Sequence, residues 1–175
     1  ERLVVAGAGV PIEIVRQGEG PPVVLIPSLG RGAEDFAELA PALADRGWCV
    51  LCPEPRGFGE SGPAEEGTTL RDLAGDVAAV LRWAGAAPAL VAGHAFGSWV
   101  ARMLATGWPD LVAAVALLAA APKGPIPPGL RARIDICADL AVPREVRLAN
   151  LRHVYFAPSS DPAAWLEGWN PAVAR

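Results

Sequence analysis

The stretch Val91-Ala92-Gly93-His94-Ala95-Phe96-Gly97-Ser98 decides how this chain is read. An apolar run, Pro88 to Ala92, leads into it and reads as a buried strand. Phe96 to Thr106 continues at helix-like spacing. Strand, tight turn and helix are the setting in which G-x-S-x-G lifts its central side chain onto a strained elbow. Gly93 permits the sharp bend, and Gly97 lets the helix sit close to the neighbouring strands. The centre of the turn, where an attacking oxygen is needed, is Ala95. A methyl group has no lone pair and cannot attack.

The sequence on either side supports the same architecture. Leu3 to Ala6 and Val10 to Val15 read as two strands joined by a hairpin turn at Gly7-Ala8-Gly9. A dinucleotide fingerprint is rejected there, because Pro11 and the alternation of Ile12 and Ile14 continue as strand. No helix N-terminus follows to receive a pyrophosphate. Pro22 to Ile26 is a continuous apolar strand ending in the loop Pro27-Ser28-Leu29-Gly30-Arg31-Gly32. Phe36, Leu39, Ala40 and Leu43 repeat at helical spacing up to Gly47. Trp48 to Cys52 is the next strand and runs into Pro53-Glu54-Pro55-Arg56-Gly57-Phe58-Gly59-Glu60-Ser61-Gly62. Thr69-Leu70-Arg71-Asp72 opens a helix as a capping box, and Gly85 ends it. After the elbow helix, Leu111 to Ala121 reads as a further buried strand. Strands alternating with helices from residue 22 to 120 predict a mostly parallel sheet, the α/β class.

Beyond this point the composition changes. Pro122 to Pro128 reads as a linker or hinge. Leu130 to Leu151 reads as one or two short helices split at Pro143, and the tail carries Tyr155, Phe156, Trp165 and Trp169. The expected division is a core over residues 1–121 and a cap or lid segment over 122–175.

Composition excludes several classes. The formal net charge is −4 with no basic stripe, so nucleic acid is not an expected partner. No apolar run reaches the roughly 18 residues of a membrane span. Cys49 and Cys52 form a C-x-x-C within a strand, where residues three apart point to opposite faces. With Cys137 they read as buried, reduced thiols, and no metal site is expected. Without a signal-peptide pattern, the expected location is cytoplasmic. The abundance of Ala, Gly, Pro and Arg suggests a GC-rich bacterial gene.

The elbow and its two flanking loops resemble those of the α/β-hydrolase superfamily. The motifs that carry the likeness are Gly93-His94-Ala95-Phe96-Gly97, Arg56-Gly57-Phe58-Gly59-Glu60-Ser61 and Pro27-Ser28-Leu29-Gly30. The resemblance covers nearly all of residues 1–121. It implies hydrolysis of a small, mostly apolar ester or related substrate, without a cofactor. It implies an oxyanion hole built from the Leu29 and Phe96 N–H groups. His94, Phe58 and Ser28 would shape the pocket. The chain departs from the family pattern at Pro27-Ser28, often His-Gly; at Glu54, often Asp; and at Ala95, usually Ser, Asp or Cys. The family's acid and base come from later loops, and neither has a candidate here; His153, the only other histidine, falls in the expected cap. A non-catalytic ligand-binding protein on the same scaffold, or a partner-dependent half-protein, are the alternatives. Sheets of this family continue past the strand at Leu111. The expectation is therefore a longer native chain, or an exposed sheet edge completed by self-association.

Overall fold

The computed structural model describes residues 1–120, 124 and 126–170. Six strands form one sheet: β1 (Arg2–Ala6), β2 (Pro11–Gln17), β3 (Pro22–Ile26), β4 (Cys49–Pro53), β5 (Ala89–His94) and β6 (Val112–Leu118). Their order is β1-β2-β4-β3-β5-β6. β1 pairs antiparallel with β2, and β2 antiparallel with β4. The remaining pairs, β4 to β3, β3 to β5 and β5 to β6, are parallel. The expected hairpin and mostly parallel sheet are both present.

Alternation along the strands explains the layering. Val24 and Ile26 of β3 enter one apolar cluster, and Val23 and Leu25 enter the other. β5 divides likewise, with Ala89 and Val91 on the first side and Ala92 on the second. The first face is covered by α2 (Leu70–Trp83) and α3 (Gly97–Gly107), and the second by α1 (Leu39–Ala44). Continuous apolar strands are what a sheet covered on both sides requires. Cys49 and Cys52 fall on opposite faces, and burial pushes the Cys52 thiol up to about 12. Such a thiol is a packing group and not a nucleophile.

The capping box forms: the Asp72 N–H donates to Thr69 Oγ1, and the Thr69 N–H donates to the Asp72 carboxylate at 2.8 Å. The single helix expected from Phe36 to Leu43 does not. A 3-10 turn, Ala33–Phe36, is followed by the separate α1. Pro41 has no N–H to give the residue four positions back, and its ring crowds that carbonyl, so a helix cannot run through.

The apolar run from Leu111, read as a strand that a complete sheet would bury, forms the exposed sheet edge also expected for it. β6 sits at the sheet edge and is largely exposed, with Val115, Leu117 and Leu118 each more than a third accessible. Among the described residues only β5 pairs with it, so its apolar character is not matched by cover. Past β6, α4 (Pro128–Ala138) and α5 (Arg144–Val154) flank Pro143 as anticipated. They hold their own apolar cluster of Cys137, Leu151, Leu166 and Trp169. The expected linker Pro122–Pro128 lies partly outside the described residues.

Candidate active site

The elbow is built as its glycine spacing demands. β5 ends at His94, Ala95 takes φ +46°, and α3 begins at Gly97. A positive φ is rare for a residue with a β-carbon and costs about 1–3 kcal/mol. Surrounding bonds hold it: the Ala95 N–H donates to Leu118 O at 2.9 Å, and Ala95 O accepts from the Ser98 N–H at 3.0 Å. A β-carbon on Gly93 would collide with the Gly97 carbonyl, and one on Gly97 would lie 2.5 Å from Pro27 O. Both glycines are therefore required by contact. The apex of this strained turn presents a methyl group.

A cavity of about 620 Å³ opens where β3, β4 and β5 end. Strand ends of this kind are where open α/β sheets bind ligands. Ile26, Pro27, Ser28 and Leu29 line it from the loop after β3, and Phe96 and Val100 from the elbow. The Leu29 and Phe96 N–H groups donate to no protein acceptor among the described residues. Of the side chains expected to shape a pocket, Ser28 lines this cavity, while His94 and Phe58 do not. Phe58 instead packs beside Gly32. His94 is half-buried with its ring edge-on to Trp165 at 5.7 Å, and burial lowers its pKa. His153 is exposed at the end of α5.

Three polar residues of the lining, Glu54, Arg56 and Asp76, have protein partners. Arg56 Nε donates to Asp76 Oδ2 at 2.7 Å, and Arg56 Nη2 donates to Asp76 Oδ1 at 3.1 Å. The same carboxylate accepts the Ala8 N–H at 2.8 Å, which ties the hairpin turn to α2. The hydrogen bond to Asp76 raises the Arg56 pKa. Glu54, at the end of β4, accepts the Ala33 N–H at 2.8 Å and faces Arg2 at 3.4 Å. Burial raises its pKa. Glu13 binds Arg2 at 2.7 Å and the Glu60 N–H at 2.8 Å, and these bonds lower its pKa. Arg56 of the R-G-x-G loop thus braces the scaffold.

One buried residue beside the cavity has partners that escape the sequence reading. Arg31, next to the loop that carries Leu29, is 4% exposed. Its guanidinium grips Asp35, donates to Glu167 O at 2.5 Å, and stacks over Trp165 and Trp169 at 4.9 and 5.1 Å. Asp35 at i+4 is the one local hint; the other partners lie more than 130 residues away in sequence.

Residues 21–169 match the family described as the alpha/beta hydrolase fold. The chain belongs to this α/β-hydrolase family. It is similar to Epoxide hydrolase A of Mycobacterium tuberculosis, with 39% identity over 143 residues, 73% of this chain and 41% of that protein. It is also similar to the dihydrolipoyllysine-residue acetyltransferase component of the acetoin cleaving system of Cupriavidus necator, with 35% identity over 63% of this chain and 29% of that one. Among solved structures, potato epoxide hydrolase I superposes with a TM-score of 0.65 at 28% identity, over 75% of this chain and 45% of its own. A thermophilic esterase from Thermogutta terrifontis gives a TM-score of 0.67 at 21% identity, over 89% and 57%, and shares the fold. The chain spans about two fifths of the length of the Mycobacterium protein. Among the described residues no helix is long and apolar enough to cross a membrane.

Proposed function

We propose that this site belongs to a hydrolase acting on a small, mostly apolar ester or a related electrophile, with the covalent step disabled at position 95. The names of several similar proteins make an epoxide the leading related class. The Leu29 and Phe96 N–H groups, which belong to two cavity-lining residues and donate to no acceptor among the described residues, would hold the oxygen that gains charge. The observation that carries the reading is Ala95 at positive φ between two sterically required glycines. The fold keeps the strain of a nucleophile elbow without the nucleophile. In a competent site the side chain at 95 attacks the electrophilic carbon, the C–O bond of the substrate breaks, and the departing oxygen takes a proton. With Ala95 the first of these bonds cannot form, and the site binds and polarises its ligand.

The test is a titration of the ¹⁵N-labelled chain with phenyl acetate and with styrene oxide, alongside intact mass. The expected result is saturable shifts of the Leu29 and Phe96 amides with no mass gain and no turnover above background. Steady turnover, or a covalent adduct, overturns the disabled step. Absence of shifts at both amides overturns the site itself. The alternative, a binding protein evolved on this scaffold, also draws on Ala95. It is favoured if Ala95→Ser and Ala95→Asp both bind the probes unchanged and react with neither.

A further inference from the structure

Residues Trp165 to Asn170 lie across the loops that follow three strands of the site. The Asn170 N–H donates to Gly30 O at 3.0 Å, in the loop after β3. Asn170 Nδ2 donates to Gly57 O at 2.7 Å, in the loop after β4. Trp165 meets His94, the last residue of β5, edge to face. Arg31 is the centre of this crossing. Nε and Nη2 are committed to Asp35, Nη1 to Glu167 O, and the planar face to the two indoles. Gly168 takes φ +78°, a conformation that favours glycine, where the strap passes beside the guanidinium. The Arg31 N–H also closes the turn that carries Leu29, donating to Ser28 O at 3.2 Å.

We propose that Arg31 is a positioning residue for the site, coupling the 165–170 strap to the loop that aims the Leu29 N–H. The inference rests on the hydrolase-type site argued above, for its Leu29 donor. The physical case is that one rigid fork satisfies partners on two separate parts of the chain. The loop from Ser28 to Arg31 has few other anchors: its backbone bonds are the Ser28–Arg31 turn and the Asn170 contact. Releasing the strap therefore frees the loop, and the donor at Leu29 loses its fixed direction. Lysine cannot replace this function, because an ammonium ion gives neither the bidentate grip on Asp35 nor the planar stack.

Native-state hydrogen exchange tests the coupling in the unaltered protein. The Arg31 and Asn170 amides are expected to open as one unit, with protection factors within about threefold of each other. Protection differing by more than tenfold overturns the coupling, whatever the probes do. Arg31→Lys and Arg31→Met then test positioning, each assayed where it remains folded. Both are expected to speed exchange at Asn170 and to weaken phenyl acetate binding on the order of tenfold, the scale of losing one hydrogen bond to a charged group. The Leu29 amide response is lost while the Phe96 response persists. A folded variant with wild-type affinity and an unchanged Leu29 response overturns the proposal. If Arg31→Met does not fold, Arg31→Lys and the exchange data on the unaltered chain decide the matter. If the unaltered chain binds neither probe at Leu29 and Phe96, the hydrolase-type reading fails, and exchange alone still reports whether strap and loop are coupled.

Discussion

Asp76→Asn is the most informative single substitution in the scaffold around the cavity. Asp76 and Arg56 have side chains only 6% and 9% exposed, and they meet through two hydrogen bonds. Removing the negative charge leaves a guanidinium buried without its counter-ion. Breaking one partner of a buried pair costs about 3–5 kcal/mol. Asparagine keeps one carbonyl oxygen, which can still accept the Ala8 N–H now held at 2.8 Å. The low end, about 3 kcal/mol, is therefore expected. Asp76→Ala also orphans that N–H and adds roughly 1 kcal/mol or more. With a urea slope near 2 kcal/mol per molar, Asp76→Asn lowers the urea midpoint by about 1.5 M at unchanged slope. Three further variants make a cycle. Arg56→Met alone is expected to be strongly destabilising, because it strands the carboxylate, and Asp76→Leu alone because it strands the guanidinium. The double variant Arg56→Met/Asp76→Leu is expected to lose less than the sum of these two single changes, since an apolar pair carries no desolvation cost. A loss below about 1 kcal/mol for Asp76→Asn, or full additivity of the two single changes, refutes the argument that this pair braces the hairpin, the R-G-x-G loop and α2 together.

Two further outcomes follow from the elbow. Gly97→Ala places a methyl group against Pro27 O at 2.5 Å, where only backbone can yield. The expected cost is about 3 kcal/mol or more; a thermal midpoint unchanged within a degree contradicts it. Burial lowers the His94 pKa below 6.5, so the unfolded chain binds this proton more readily than the folded one. The His94 contribution is therefore fully present above pH 6.5 and is lost as pH falls towards the folded value. Urea stability measured from pH 7.5 to 5 should fall less steeply in His94→Gln than in the parent chain, and equal slopes remove His94 from the account.

The α/β sheet was legible because burial on two faces leaves a local mark. The runs at Pro22–Ile26 and Trp48–Cys52 are apolar without interruption, and their residues divide between two clusters just as alternation requires. The elbow was legible for a related reason. Gly93 and Gly97 stand where a β-carbon would strike backbone, so the steric demand is written as residue identity. The same holds for Thr69 and Asp72, whose reciprocal cap closes within four residues. What was missed was one local break and the partners of Arg31, which lie far along the chain. Helical spacing at Phe36–Leu43 hid the steric break imposed by Pro41.

The amino-acid sequence by itself determined the sheet, the strand–turn–helix elbow and the methyl group at its centre, because each rests on periodicity, a steric requirement or the chemistry of one residue. Only the tertiary structure decided that Arg31 joins the Leu29 loop to Glu167, Trp165 and Trp169, and that Arg56 and Asp76 pair in the cavity lining. These depend on groups far apart in the chain meeting at short range, where a hydrogen bond or a stacked ring acts over a few ångströms and leaves no periodic trace along the sequence.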